Sequence, residues 1–251
     1  MCYDINPILE GWNYASGELL VRTIEGEDSR PRIQIRMDMG LIQLEWMGRP
    51  DGKKPHDCVS LLDFYSDQMQ GEEDSPKLSR QDCFDLGQEA IQYYWRRISF
   101  FELKEYKRAE EDAEHNLGIL DLCYRFGEHE QDRQLAEQYR AFVMTHRIQA
   151  QALAFLDGED YAGALEVVRV GIDEIEAILH LQGQFDKIEG SPERLFLLEW
   201  LKELGNKRPM SLRERLHVDL QRAVETEQFE RAAVLRDRLR RLDAEQGDRL
   251  I

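Results

Sequence analysis

The spacing of apolar and polar positions changes along this chain. Residues 18–24 (ELLVRTI) form a short run rich in branched side chains. From Arg32 to Asp38 the alternation is strict, with Ile33, Ile35 and Met37 on one side, and residues 41–46 alternate again to present Ile42, Leu44 and Trp46 together. A polar stretch at 25–31 (EGEDSRP) separates the first two runs. Asp38-Met39-Gly40 separates the last two, with a glycine able to take positive φ. The pattern predicts a small antiparallel β-meander whose apolar face is buried under helices, because so small a sheet is marginal alone. Gly48-Arg49-Pro50-Asp51-Gly52 reads as a turn, and residues 60–69 (SLLDFYSDQM) as a short helix covering the sheet.

From Ser79 the period lengthens to that of a helix. Ser79-Arg80-Gln81-Asp82 has the form of a capping box with Asp in the place of Glu. The long helix it opens carries Ala90, Tyr93, Tyr94, Ile98 and Phe101, and its successor begins near Tyr106. The same logic recurs at Leu153, Phe155 and Leu156, followed by a polar turn and Tyr161-Ala162-Gly163-Ala164. Ser191-Pro192-Glu193-Arg194 starts a further helix, with Leu195, Leu198 and Leu201 expected inward and residues 205–209 closing it. In the tail, Leu212, Leu216, Leu220 and Ala223 form one helical stripe. After the break Thr226-Glu227-Gln228, Phe229, Ala232, Leu235, Leu239 and Leu242 form a second. So short a break makes the two helices fold back antiparallel. Neither stripe is expected to be hidden by so narrow a hairpin alone. The cover would come from the rest of the chain, making the tail an end cap, or from a second copy or another protein.

Residues 223–239 resemble the UVR motif, the helical hairpin at the C-terminus of the excision-repair protein UvrB, with a counterpart in UvrC, in Clp ATPase subunits and in the activator of the protein arginine kinase. The most specific piece, Phe-Glu-x-Ala-Ala-x-Leu-Arg-Asp, is intact at 229–237. The resemblance implies an association device that pairs with a second such hairpin and has no catalytic residues of its own. It therefore implies a protein partner, or a second copy, engaged through Leu216, Leu220, Phe229, Ala232, Leu235, Arg236 and Leu239. A connection to nucleotide excision repair or to proteostasis is implied by the family alone. Residues 153–165 resemble a tetratricopeptide repeat, and the segment at Lys104-Glu105-Tyr106 is a degenerate copy lacking the glycine. Tyr106 and Tyr161 are 55 positions apart rather than the repeat's roughly 34, so either an extra helix lies at about 130–147 or the helices are long. The stretch from Gln34 through Gly52 resembles the N-terminal region of bacterial proteins known by that tail motif. The expected architecture is α+β, mainly α. It comprises a β-rich N-terminal domain (1–75), a tetratricopeptide-like helical domain (76–205) and a UVR-like hairpin (206–251).

Composition narrows the function classes. The chain has 251 residues, 33% of them charged, and a formal net charge of −17. From Leu212 onward nine Arg balance nine Asp and Glu, so the acidic excess lies in the first 211 residues. Such a surface repels phosphate backbones, and no direct nucleic-acid partner is expected. The basic run Arg236, Arg238, Arg240 and Arg241 is diluted by Asp237, Asp243 and Glu245 and reads as a solvated face. Cys2, Cys58, Cys83 and Cys123 are far apart in sequence, with no CxxC pair. The N-terminus lacks the features of a signal peptide and no run reaches membrane-spanning length, which points to a reducing cytoplasm.

No phosphate-binding loop, dinucleotide fingerprint or HExxH is present, so no ATPase or nuclease machinery is visible. Glu111/His115 and Glu176/His180 each place a carboxylate and an imidazole four apart, but a bundle di-metal site wants Glu-x-x-His twice and two further carboxylates. No catalytic residue, metal or cofactor is therefore expected. The competing enzyme reading is a hydrolase built on His56-Asp57-Cys58, where consecutive loop residues would have to supply nucleophile, base and orienting group.

Overall fold

The computed structural model describes residues 4–69, 76–183, 188–209, 212–226 and 228–247. A short helix α1 (Asn6–Leu9) precedes strands β1 (Val21–Glu25), β2 (Pro31–Met37) and β3 (Gly40–Glu45). These are followed by α2 (Leu61–Gln68), α3 (Arg80–Glu102), α4 (Tyr106–Phe126), α5 (Glu130–Asp157), α6 (Tyr161–Leu181), α7 (Pro192–Lys207), α8 (Leu212–Glu225) and α9 (Phe229–Gly247). The protein is mainly helical with a small antiparallel sheet, as the patterns predict. Residues 70–75, which end the expected N-terminal domain, lie outside the described residues.

The sheet is the meander β1-β2-β3. Its register pairs Ile33 with Leu44 and Ile35 with both Val21 and Ile42, which places the alternating apolar residues on one face. That face packs with Phe100, Ala109 and Ala150 from α3, α4 and α5, with Trp46 and Trp95 at its edge. The Trp46 and Phe100 rings meet edge-on at 5.3 Å. On the other face, Arg22 Nε donates to Gln34 Oε1 (2.9 Å) and Gln34 Nε2 donates to Gln43 Oε1 (2.9 Å). The N-terminal segment is tied there, because Arg22 also reaches the carbonyl of Ile8 and Arg36 that of Trp12. The sheet thus shares its core with the helices, across the partition expected at residue 75. Two compact units emerge, Met1–Leu204 and Gly205–Ile251.

Each helix from α3 to α6 packs against the next. The capping box forms as its residues imply: Ser79 accepts from the Asp82 amide and the Asp82 carboxylate accepts from the Ser79 amide. The Ser60 and Ser191 hydroxyls accept from the amides of Asp63 and Arg194 and so cap α2 and α7, with Pro192 at the first position of α7. The connections α3–α4 and α5–α6 have the same form. Glu105 N–H bonds to the Phe100 carbonyl at 2.8 Å and Asp160 N–H to the Phe155 carbonyl at 2.9 Å. In each, the residue before the acid is left-handed, Lys104 at φ 60 and Glu159 at φ 59. Ala109 and Ala164, three residues into the following helices, are fully buried. This turn therefore recurs at an interval of 55 residues. Its length comes from α5, which runs unbroken for 28 residues, so no separate helix is inserted at 130–147. Close approach is built in at Gly171, where a Cβ would sit 2.6 Å from Ile148 of α5.

The face of α7 differs from expectation. Leu197 and Leu204 are the buried pair, Leu198 and Leu201 pack at the margin, and Leu195 is exposed. The helix is rotated so that the 197–201–204 stripe faces the array, with Arg194 ion-paired to Glu176 of α6. It ends at Lys207, within the segment 205–209 expected to close it.

Between α3 and α5, His146 lies among Phe142, Phe101 and Tyr94, with ring centroids 4.4, 5.7 and 6.3 Å away. Burial, reinforced by the positive charge of Arg97, depresses its pKa to about 4. The folded state therefore refuses a proton that the unfolded chain accepts below about 6.5. Stability is full above pH 6.5 and falls as pH drops from 6.5 to about 4, by about 3 kcal/mol from this group. Urea midpoints across that window should fall less steeply in His146→Leu than in the wild type. Equal slopes would show that His146 is accessible to protons in the fold.

Candidate functional site

The tail hairpin is built from two amphipathic helices, α8 and α9, closed at the tip by the Gln228 amide bonding to the Ala223 carbonyl at 2.7 Å. Leu216, Ala223, Leu235 and Leu239 form one apolar cluster, with Leu220 at its margin. All four are buried, at 2–9% exposure. The expectation that so narrow a hairpin cannot hide its own stripes needs correction. Ala223 is small enough to let the helices close, and Leu216, Leu235 and Leu239 fill the space between them. Leu216, Leu235 and Leu239 are thus occupied within the hairpin and hold it shut.

Other apolar side chains of the hairpin are exposed. Phe229 is 68% exposed, Val234 63%, Val224 52% and Val218 45%. Val224 and Phe229 flank the tip. Arg236 is exposed and pairs with its neighbour Asp237 at 3.2 Å. Arg238, Arg240 and Arg241 also face solvent. The side chains of Ala232, Leu242 and Leu212, and all of Glu227, lie outside the described residues.

The candidate chemical sites take other roles. His56 stacks on Phe64 with centroids 3.9 Å apart, and both His56 and Asp57 have positive φ. The structure records no hydrogen bond from either ring nitrogen of His56 to Cys58. His115 turns from the exposed Glu111 to Glu89, Nε2 to Oε1 at 3.1 Å, and stacks on Tyr93 at 3.6 Å. Glu176 pairs with Arg194. Among the described residues no three His, Cys, Asp or Glu side chains converge in a way that could hold a metal ion.

A buried polar network went unnoticed in the sequence. Arg96 forms a two-pronged pair with Asp112 at 2.9 and 2.7 Å, and its Nη1 donates to the carbonyls of Glu45 and Gly48. Glu89 is fully buried. It accepts from the first two amides of α2, Leu61 at 2.8 Å and Leu62 at 3.2 Å, with Arg49 Nε 3.2 Å away. Burial alone would raise its pKa, but the hydrogen bonds from His115 and the two amides hold it below the usual carboxylate range. The network fastens the 48–52 turn and α2 onto α3 and α4. Its signal was Arg96-Arg97 set inside the apolar run from Tyr93 to Phe101, since a charge at a core position demands a partner.

A family model described as UVR, the UvrB/uvrC motif, matches residues 214–245. The span covers most of α8 and α9, so the tail carries a UvrB/UvrC motif. No curated protein and no solved structure matches the chain significantly. No helix among the described residues is long and apolar enough to cross a membrane.

Proposed function

With the UvrB/UvrC motif of the tail as premise, we propose that this chain is a non-enzymatic association protein acting in the cytoplasm. The hairpin docks on a second hairpin of its kind, in another protein or another copy, while residues 1–204 form the body it tethers. The observation that carries this reading is the motif at 214–245 folded as a hairpin that buries Leu216, Leu235 and Leu239 yet leaves Phe229 and Val234 in solvent. Excision repair and proteostasis are the two settings in which the motif implies such tethering. Direct DNA binding is not favoured, because the acidic excess of the chain opposes it. The hydrolase reading has little support, since His56 is stacked and turned to no visible base–nucleophile pair.

Phe229 separates the docking role from a structural one. A fully buried Phe replaced by Ala costs about 3–5 kcal/mol. At 68% exposure the expected loss for Phe229→Ala is below about 1 kcal/mol. Association, read by light scattering or by capture of a partner, should nevertheless weaken at least tenfold. A large loss of stability, or unaltered association, would show that the ring serves the hairpin interior instead.

A further inference from the structure

We propose that Cys83 and Cys123 are an oxidation site, at which a small hydroperoxide converts two thiols into a disulfide joining the start of α3 to the end of α4. The placement follows from the backbone. Leu78 and Gly127 form an isolated bridge, with Leu78 N–H on the Phe126 carbonyl and Glu128 N–H on the Leu78 carbonyl, both at 2.9 Å. The antiparallel helices leave this bridge side by side. Cys83 is the fourth residue of α3 and Cys123 the fourth from the end of α4, so each lies in the helical turn next to the bridge. Both belong to one apolar cluster with Leu78, Leu86 and Leu122. Both are free thiols, Cys123 buried and Cys83 half-exposed.

The two sulfurs are not equivalent. The neighbouring Cys123 side chain holds the Cys83 thiol below its ordinary pKa against the opposing effect of burial, while Cys123 is pushed up by Cys83 and by its own burial. Cys83 is also the fourth residue of α3, within the turn where the helix dipole favours an anion. Asp82 and Asp132 oppose the thiolate, although Asp82 is engaged by Ser79 and Tyr65. Cys83 is accordingly the reactive sulfur and Cys123 the resolving one.

In the first step the Cys83 thiolate attacks one peroxide oxygen. The O–O bond breaks, the departing oxygen takes up a proton as water (an alcohol, for an organic hydroperoxide), and Cys83 becomes a sulfenic acid. In the second step the Cys123 sulfur attacks Cys83, the S–O bond breaks, and the hydroxyl leaves as water with the proton from Cys123. Two thiols are oxidised and one peroxide is reduced. The disulfide closes a loop of about 40 residues that contains most of α3 and α4, which raises the resistance of this pair to unfolding.

The test treats the full chain with hydrogen peroxide and maps its thiols by mass spectrometry, with dimedone to trap sulfenic acid. The wild type should lose about 2 Da through a single Cys83–Cys123 link, reversed by dithiothreitol, with a Tm higher than that of the reduced chain. Cys83→Ser should abolish the link, and Cys123→Ser should stop at a dimedone adduct on Cys83. Cys123→Ala serves if a hydroxyl at that buried position prevents folding. A link involving Cys58 instead, equal dimedone labelling of Cys83 in wild type and Cys123 variants, or thiols left unoxidised while Cys58 reacts would each overturn the assignment.

Discussion

Arg96→Ala should cost about 3–5 kcal/mol, a large part of the stability of a domain this size. The side chain is 5% exposed and its partner Asp112 3%. Removing the guanidinium leaves a buried carboxylate without its two-pronged partner and strips the carbonyls of Glu45 and Gly48 of a donor. The rings of Tyr93 and Phe100, with the guanidinium carbon 4.8 and 5.7 Å from their centroids, lose their cation as well. Arg96→Lys should recover only part of the loss, because a single ammonium cannot match the carboxylate fork and reach the turn at once. In Arg96→Met combined with Asp112→Leu, the damage should be smaller than in either single change, since no charge is then left alone. Urea unfolding with an unchanged m-value would measure each step. A loss under about 1 kcal/mol for Arg96→Ala would mean that water already reaches the pair.

Leu235→Asp should melt the hairpin and spare the rest. Leu235 is buried among Leu216, Ala223 and Leu239, and a cluster of four residues has no reserve against an unpaired buried carboxylate. The cost, at least the roughly 2–5 kcal/mol of a leucine truncation, exceeds what so small a core supplies. The molecule contains its own reporter, since Trp12, Trp46, Trp95 and Trp200 all lie outside the tail. Tryptophan fluorescence and its urea midpoint should be unchanged in Leu235→Asp, while helical ellipticity falls and the amides of α8 and α9 lose protection from exchange. Loss of the tryptophan transition would mean that the two units unfold together.

How far these features were legible depends on the range of the interaction behind them. The strands were readable because alternation at Ile33-Ile35 and Ile42-Leu44 is local, and the caps at Ser79 and Ser191 because they span three residues. α5 was harder. A 28-residue helix carries no internal mark that forbids dividing it, so the spacing left an inserted helix and long helices both open, and the structure shows the second. On α7, leucines at 195, 197, 198, 201 and 204 permit two faces, and only the packing partner selects 197 and 204. The Arg96–Asp112 and Glu89–Leu61 contacts join positions 16 and 28 apart, and no periodicity reports them. In the tail, spacing located the apolar stripes. It did not show that they cover each other, because periodicity says which face is apolar and not what lies against it. The outward Phe229 was then the informative residue, and its exposure appears only with coordinates.

The tail is expected to make the molecule associate. Light scattering and partner capture should be compared for the full chain and for a chain ending at residue 210. The shortened protein should keep its tryptophan unfolding transition and lose either its own oligomeric mass or its captured partner. An unchanged mass together with an unchanged set of captured proteins would show that the hairpin tethers nothing.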